Sequence, residues 1–476
     1  MDIMDLVSKG IVKIVKSYGK KVCKTKVAEP IEKVMPTVIK GDGYNVGFST
    51  AEIMPDLTKD TTYWIAGHGS GHKMEGILSP VYTSAVWIDC GNDEGMLWIG
   101  ADIVGMTNIE TMKVRSMLAD FAKEVGCKCI NISTTHSHSG IDTLGYWGKP
   151  FASIPSDGKD PDYMNMLMET MVKVSKEAYA NRKAGKLYLG TKYLEGAQQT
   201  GRATKGLNET LTRLRFAPAD GSAETWIMNF SAHPNSLGGG NRMLSGEYPY
   251  FMREHIKEAC GANVLFGIGA IGGIDMADYD ENDNVNNIKI QGKVLAEGAL
   301  AIDNDKELEP EMKIVQQKFY LPIDNNVLML LGMRQTFSND PYPSKESELG
   351  VALKSEMTYM EIGSQKILLL PGEMFQSAVF GGYDEAEISS TGLGPEVNPT
   401  PLVEVANDPN LVVFGVSNDM TGYCVPPNDF VLNQTQPYLN TARDRFDRRH
   451  YHETNSMGPN TQRVIKETFE DILSRV

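Results

Sequence analysis

The chain has no surplus of basic residues: 46 Lys and Arg stand against 61 Asp and Glu, a formal net charge of -15 at pH 7. Binding to nucleic acid needs basic groups that neutralise phosphates, so this balance argues against a nucleic-acid partner. No run of residues approaches the roughly 18 apolar residues that a membrane-spanning helix needs. The six cysteines are scattered through 476 residues, which excludes a disulfide-dense secreted scaffold.

Residues 1–21 lack the continuous apolar core and the small-residue cleavage site of a secretory signal, so we expect a cytoplasmic protein. The same residues alternate Ile, Val and Leu with Lys at helical spacing, which predicts an amphipathic helix. Two interpretations of this helix stay open. It packs on its own domain or on a partner subunit, or it makes weak peripheral contact with an anionic membrane. The oligomeric state also stays open.

Strand-like and helix-like segments alternate through the rest of the chain. This pattern predicts a mixed α/β (α+β) fold in which mixed β-sheets are flanked by helices. We divide the chain into an N-terminal helix and connector over residues 1–43 and one large catalytic domain over residues 44–476. The clearest predicted elements are strands over 84–89, 96–101 and 129–134, helices over 108–125 and 162–181, and a hairpin over 357–370.

Side chains that suit a metal site follow three strand-like runs. His136 and His138 follow the first run, His233 follows the second and Glu373 follows the third. Ligands bind beyond the carboxyl ends of the strands in open α/β sheets, so these groups and Tyr423 could meet in one cleft. Because residues i and i+2 on a strand share a face, we expect both histidines of the first segment to line that cleft.

Two histidines and one carboxylate make up the ligand count of a catalytic zinc site that keeps one position open for water. Zinc would lower the pKa of that water to about 7 and polarise a carbonyl oxygen. Each residue also has an ordinary structural explanation. A core histidine can bond to backbone carbonyls, Glu373 can begin a helix, and Tyr423 can lie in a surface loop.

Two further polar loops carry weaker signals. Residues 67–72 form a glycine-rich loop with two histidines, but no phosphate-binding helix start follows, so we expect a loop at a pocket rim or on the surface. Residues 275–283 are acidic but lack the spacing of an EF-hand calcium loop. We therefore expect a solvated acidic loop there.

The order of the motifs resembles that of the neutral, non-lysosomal ceramidases and their bacterial relatives, which are zinc-dependent amidases. The resemblance runs from about residue 44 to residue 473. Its most specific segment is Thr-His-Ser-His-Ser-Gly at residues 135–140, followed by Ala-His-Pro at 232–234 and Pro-Gly-Glu at 371–373. The resemblance implies a zinc-dependent hydrolase of the carbon–nitrogen bond of an amide, or of an ester, in an N-acyl or lipid-like substrate such as a sphingolipid.

The same resemblance implies one Zn²⁺ per chain. Carried over by position, its ligands are His136, His233, Glu373 and Tyr423. The tyrosine would also stabilise the oxyanion that forms when a zinc-activated water attacks the carbonyl.

His138 and Arg202 complete the implied site. The resemblance places His138 in the pocket beside the metal, where it is the best candidate for proton transfer to the leaving group. It makes Arg202 a substrate-pocket arginine whose guanidinium could hydrogen-bond an amide or carboxylate oxygen. Where the family has a substrate-facing serine, this chain has Gly269 or Ala270. Because the family's C-terminal immunoglobulin-like domain is also missing, we expect a single-catalytic-domain relative whose substrate need not be ceramide.

Three functions therefore stay open. The first is a metal-dependent hydrolase of an N-acyl lipid, and the second is a hydrolase of a small non-lipid amide, lactone or lactam on the same scaffold. The third is a non-catalytic relative that binds a metal. The identity of the metal also stays open, because sites of imidazole and carboxylate accept several divalent ions.

Overall fold

The computed structural model describes residues 3–92, 94–150, 156–202, 207–333 and 340–476. Its α-helices are α1 (Ile3–Thr25), α2 (Asn108–Met117), α3 (Ala119–Glu124), α4 (Pro161–Ala180), α5 (Glu247–Cys260), α6 (Asn284–Leu300), α7 (Asn326–Met333), α8 (Gln376–Phe380), α9 (Leu402–Val405) and α10 (Thr461–Leu473). Its β-strands are β1 (Thr37–Lys40), β2 (Tyr44–Glu52), β3 (Gly76–Ile77), β4 (Tyr82–Asp89), β5 (Gly95–Ala101), β6 (Cys127–Thr134), β7 (Lys183–Tyr193), β8 (Gln198–Thr200), β9 (Thr210–Pro218), β10 (Thr225–Phe230), β11 (Met243–Leu244), β12 (Asn263–Ile268), β13 (Ile274–Met276), β14 (Lys306–Glu307), β15 (Glu311–Pro322), β16 (Pro341–Pro343), β17 (Val351–Ile362), β18 (Gln365–Leu369), β19 (Glu373–Met374), β20 (Val412–Phe414), β21 (Tyr423–Cys424), β22 (Ala442–Arg443) and β23 (Arg449–His450).

Two large mixed sheets form the centre of the molecule. The first sheet has the strand order β12-β10-β9-β7-β2-β4-β5-β6, with β14 paired to β7. The second has the order β1-β15-β17-β18-β20, with β16 paired to β17. Most neighbours are antiparallel, but β5 and β6, β10 and β12, and β18 and β20 are parallel pairs. The predicted mixed α/β class is therefore confirmed.

An apolar layer fills the space between the two sheets. Trp98 of the first sheet packs edge-on against Phe414 of the second, with ring centroids 4.6 Å apart, among buried residues from both sheets. Helices α2, α4, α5 and α6 cover the outer face of the first sheet, and α1, α7 and α10 cover that of the second. Because each large apolar side chain buried here stabilises the fold by about 1.5–3 kcal/mol, the four layers hold the sheets in a fixed relation.

The first sheet curls so that its two edge strands approach each other. A side chain at Gly267 on β12 would collide with the Phe414 ring and would reach within 3.6 Å of the Ser133 side chain on β6. Glycine at 267 therefore leaves room for the Phe414 ring, and the distance to Ser133 shows how close β12 lies to β6. The curl brings the segment after β6 close to the segment after β10, although the two strands lie far apart in the order of the sheet.

The predicted elements were mostly confirmed, with small corrections. The predicted N-terminal helix is α1, and its last turn extends beyond residue 21. The predicted helix over 108–125 is wrong in one respect, because it breaks at Leu118 into α2 and α3. The connector before residue 44 supplies β1, which pairs with β15, while the division at residue 43 stays a prediction. Among the described residues, none of the helices combines the length and the apolar character that a bilayer crossing requires.

Candidate metal centre and its cavity

His136 lies in a turn beyond the end of β6. The backbone N–H of Thr135 donates to the Ala101 carbonyl, and the chain then turns at His136, whose φ is 57°. The expectation that His136 and His138 share a face of a strand is therefore wrong, because the strand ends at Thr134. The turn nevertheless points both rings to one place, with 3.1 Å between their Nε2 atoms. A non-glycine residue with positive φ is uncommon and is often found at functional sites.

Backbone carbonyls fix the rings of His136 and His233. Nδ1 of His136 donates to the Val104 carbonyl, and Nδ1 of His233 donates to the Ile274 carbonyl over 2.8 Å. Both rings are buried. Since Nδ1 donates in each bond, Nε2 is the atom of each ring that faces the neighbouring groups, and in a neutral ring it would offer a lone pair to a cation.

A short parallel ladder positions Glu373 and Tyr423. The two residues are register partners in the pairing of β19 with β21, and both are buried. Glu373 Oε2 lies 2.8 Å from His233 Nε2 and 3.5 Å from His136 Nε2. The hydroxyl of Tyr423 lies 3.5 Å from His233 Nε2. The structure thus brings the four predicted ligand residues together.

The pKa values in this cluster shift because the groups are buried and act on one another. Burial raises the pKa of Glu373, but the adjacent His136 and His233 outweigh that effect and hold its pKa well below the usual range. Burial, followed by the charge of Glu373, raises the pKa of Tyr423 well above its ordinary value. Burial lowers the pKa of His138 far below that of a free imidazole, and the neighbouring histidines lower it further. At neutral pH Glu373 is therefore a carboxylate and His138 is neutral.

The arrangement fits a divalent cation. With Nδ1 of both histidines bonded to carbonyls, both Nε2 atoms face the carboxylate of Glu373, and this arrangement is favourable only when a proton or a cation lies between them. Imidazole, carboxylate and phenol oxygen are donors that zinc accepts. His136, His233, Glu373 and Tyr423 would hold the ion. His138 offers an alternative donor, since the ligand atoms of the three histidines lie within 4.8 Å of one another.

His138 stands between this cluster and the glycine-rich loop. Its Nδ1 is buried and has no hydrogen-bond partner among the described residues. Its ring meets the ring of His68 edge-on at 5.0 Å. His68 lines the cavity described below, which agrees with the expected position of residues 67–72 at a pocket rim. An unpartnered buried nitrogen is uncommon, and it singles out His138 among the side chains that line the cavity.

A cavity of 620 Å³ opens onto the cluster. His136, His138, Glu373 and Tyr423 line its polar end. Its remaining wall is mainly apolar, through Val104, Leu144, Trp147, Ile323, Leu328, Met329, Leu353, Met420 and Met457. It also carries the polar side chains of His68, Ser70, Asn235, Thr421, Arg449, Thr454 and Asn455. The sequence reasoning missed this wall. The continuous apolar run over residues 327–331, which forms α7, is the signal that could have located part of it.

Arg202 is not among the described residues that line the cavity. Its buried guanidinium pairs with Asp429 at 2.5 Å and with Glu453 at 2.8 Å, behind the ring of Phe375. Two carboxylates thus occupy Nη1 and Nη2, while Nε is buried without a partner among the described residues. A direct contact of Nη1 or Nη2 with substrate would require those ion pairs to break.

Neither Gly269 nor Ala270 offers a hydroxyl to the cavity. A side chain at Gly269 would come within 2.2 Å of Ser231 Oγ, so this position is closed to serine in the present packing. Ala270 is buried in the apolar core on the outer side of the second sheet, and its N–H donates to Ser231 Oγ over 3.1 Å. The chain therefore has no counterpart here of the substrate-facing serine that the resemblance would supply.

Comparison with known proteins bears out the fold and no more. No protein-family model and no curated protein matches the sequence. The structure is similar to that of the neutral ceramidase from Pseudomonas aeruginosa, with a TM-score of 0.66 and 17% identity over 91% of this chain and 74% of that one. A structure of a ceramidase complexed with C2 matches with a TM-score of 0.66 and 16% identity over 91% of this chain and 75% of that one. The resemblance drawn from the motifs is thus confirmed at the level of the fold.

Proposed function

We propose that this chain is a metal-dependent hydrolase that cleaves the amide or ester bond of an N-acyl, lipid-like substrate. One observation carries the proposal. The imidazoles of His136 and His138, the Glu373 carboxylate and the Tyr423 phenol line one cavity, His233 adjoins them, and the remaining wall is mainly apolar with some polar side chains. The fold shared with neutral ceramidases supports the same reaction, and it extends over nine-tenths of the chain.

A divalent cation, with Zn²⁺ the best match to the donors, would polarise the carbonyl oxygen of the substrate and lower the pKa of a water molecule when bound. His136 and His233 would hold it through Nε2, because their Nδ1 atoms are bonded to carbonyls. Glu373 would supply the negative charge that balances the ion, and Tyr423 the fourth donor.

Two side chains at the polar end would assist the reaction directly. The hydroxyl of Tyr423 lies where it can stabilise the negative charge that develops on the carbonyl oxygen. His138, which lines the cavity and is neutral, could take the proton that the attacking water releases and pass it to the departing amine. Because neither Gly269 nor Ala270 carries a hydroxyl, we assign the nucleophilic role to water.

The apolar wall supports an acyl chain as part of the substrate. Each methylene group buried there contributes about 0.8 kcal/mol, which corresponds to a roughly fourfold gain in binding. A series of N-acyl amides with increasing chain length should therefore show a rising kcat/KM until the cavity is full. This profile separates the lipid hydrolase from its alternative, the hydrolase of a small non-lipid amide, lactone or lactam, for which longer chains bring no gain. The missing hydroxyl at residues 269 and 270 is the observation that favours that alternative.

The test combines metal analysis with the substrate series. The wild type should carry about one divalent ion per chain, while His136→Ala and His233→Ala should lose the ion and the hydrolytic activity together. His255→Ala, on α5 and outside the cluster, is the matched control and should keep both. Unchanged metal content in both site variants would end the proposal, and metal binding without turnover on any acyl substrate would assign the chain to the non-catalytic class. A cytoplasmic location stays a separate prediction, which cell fractionation checks.

A further inference from the structure

Helix α1 (Ile3–Thr25) has three distinct faces. One face is buried and packs into the apolar core on the outer side of the second sheet through Ile11, Val15 and Val22. This contact already fixes the helix to the body of the protein. The other two faces point outward.

The second face is apolar and exposed. Ile3, Leu6, Val7 and Ile14 are 75%, 54%, 36% and 53% exposed, and their spacing places them along one side of the helix. Single exposed apolar residues are common, but a row of four on one helix indicates a surface that binds something.

The third face is basic and adjoins the apolar row. Lys9, Lys13, Lys16 and Lys20 recur at intervals of three and four residues, which places them in one line. The helix holds six lysines and a single acidic residue, although the whole chain carries a net charge of -15. The helix therefore carries a local net positive charge in an acidic chain, and a surface that complements it is anionic.

We propose that α1 lies flat on an anionic lipid surface. The apolar row would enter the boundary between headgroups and acyl chains, and the lysine row would meet the phosphate and carboxylate groups. A second copy of the chain fits this face less well, because a two-fold contact between apolar rows would bring the two lysine rows together.

The position of α1 relates this surface to the cavity. Its buried face packs against α7, and α7 supplies Leu328 and Met329 to the apolar wall. A lipid surface bound by α1 would thus be separated from the apolar wall by α1 and α7 alone, which is a short path for an acyl chain. This second step rests on the proposed function, since it assumes that the substrate is an acyl lipid drawn from the bilayer. The docking itself does not depend on hydrolysis.

The experiment is sedimentation of the full chain with vesicles of phosphatidylcholine and phosphatidylserine, and with vesicles of phosphatidylcholine alone. The wild type should bind the mixed vesicles and bind the neutral ones much more weakly. The double variant K13E/K16E should bind the mixed vesicles at least about 30-fold more weakly, since each lysine near an anionic surface contributes roughly a fivefold factor. The variant L6S/I14S should also lose most of the binding. The control K289E/K293E makes the same charge change on the exposed side of α6 and should bind as the wild type does.

Equal binding by the wild type and K13E/K16E, or an absence of binding to the mixed vesicles, would overturn the docking. Self-association in analytical ultracentrifugation that L6S/I14S abolishes, without vesicle binding, would overturn it in favour of a second copy. Hydrolysis of a water-soluble short-chain amide, measured without vesicles, separates the two proposals. The α1 variants should keep this activity, while its absence from a wild type that binds vesicles would refute the hydrolase and leave the docking intact.

Discussion

Two buried polar clusters on this molecule look alike in composition and differ in how their atoms pair. The first, the metal centre, joins His136, His233, Glu373 and Tyr423. The second, the arginine cluster, joins Arg202 to carboxylates and to His450. In the arginine cluster the guanidinium donates to Asp429 and Glu453, so positive charge meets negative charge. In the candidate metal centre, two imidazole Nε2 atoms face one carboxylate, and a shared proton or a bound cation is needed to join all three.

This difference separates a structural cluster from a candidate ligand site. A buried cation that already donates to carboxylates stabilises the folded protein and needs no ligand. Removing its side chain leaves those carboxylates buried without a partner. A buried set of acceptors gains most when a cation enters. Both clusters contain shifted or charged groups, so pKa perturbation alone would not tell them apart.

The largest expected effect comes from Glu373→Gln, which removes the charge of the metal centre and keeps its shape. We expect metal affinity to fall by about 3–4 kcal/mol, several hundredfold, because one of four donors loses its charge. Equilibrium dialysis with Zn²⁺ measures the change. Glu356→Gln is the matched control, since Glu356 is equally buried but pairs with Arg115, and it should keep the metal. Retention of the metal by Glu373→Gln would transfer the role to His138.

Arg202→Met probes the other cluster. The free energy of unfolding should fall by about 3 kcal/mol, because two carboxylates are left buried without their cation. Urea denaturation measures this change, and metal content per folded chain should stay as in the wild type. Arg463→Met, at an exposed ion pair with Glu346, should cost under about 1 kcal/mol. Normal stability with a raised KM would instead support the substrate contact implied by the resemblance.

A smaller effect should distinguish two leucines on α7. Leu328 lines the cavity, while Leu330 is buried on the same helix outside it. Leu328→Ser should lower the ratio of kcat/KM for long-chain over short-chain amides about tenfold, or ~1.4 kcal/mol. Leu330→Ser should cost stability and leave that ratio alone. A ratio that both variants change equally would show that the apolar wall does not bind the chain.

The smallest effect concerns Asp419, a buried carboxyl whose hydrogen bonds come from neutral donors. Burial raises its pKa to about 7, and bonds from Ser355, Met420 and Asn108 offset this only in part. The folded state therefore holds an extra proton between about pH 4 and pH 7, and stability is lost as the pH rises through that window. Asp419→Asn should remove this pH-dependent loss, measured as the change in the free energy of unfolding by urea between about pH 5 and about pH 8. Equal pH dependence in both proteins would contradict this assignment.

Local patterns predicted the parts of the fold that depend on local order. The amphipathic period of α1 and the apolar runs of β4, β5 and β6 are each patterns within one short segment of the chain, so the sequence predicts these elements directly. The turn at His136 was missed, because positive φ at a histidine leaves no mark in composition. Leu118 was likewise placed inside one helix, since nothing in its type indicates a break.

Long-range pairing explains what the sequence could not show at the site. Tyr423 looked like a loop residue, and its place depends on the pairing of β21 with β19, fifty residues earlier in the chain. Arg202 gave no sign of Asp429 or Glu453, which lie more than two hundred positions away. The order of the motifs indicated the site residues although local patterns could not show their pairing. The curl of the first sheet brings His136 close to His233, and the β19–β21 pair adds Glu373 and Tyr423.

The carbonyl bonds to Nδ1 of His136 and His233 have one more consequence. Every amino acid carries a carbonyl, so the residues at 104 and 274 can change type while the imidazoles stay aimed at the same point. The site therefore requires a particular amino acid at only a few positions. At the positions that supply carbonyl groups it requires only the backbone geometry. Chains that share about one residue in six can then preserve it, provided that the sheets keep their course.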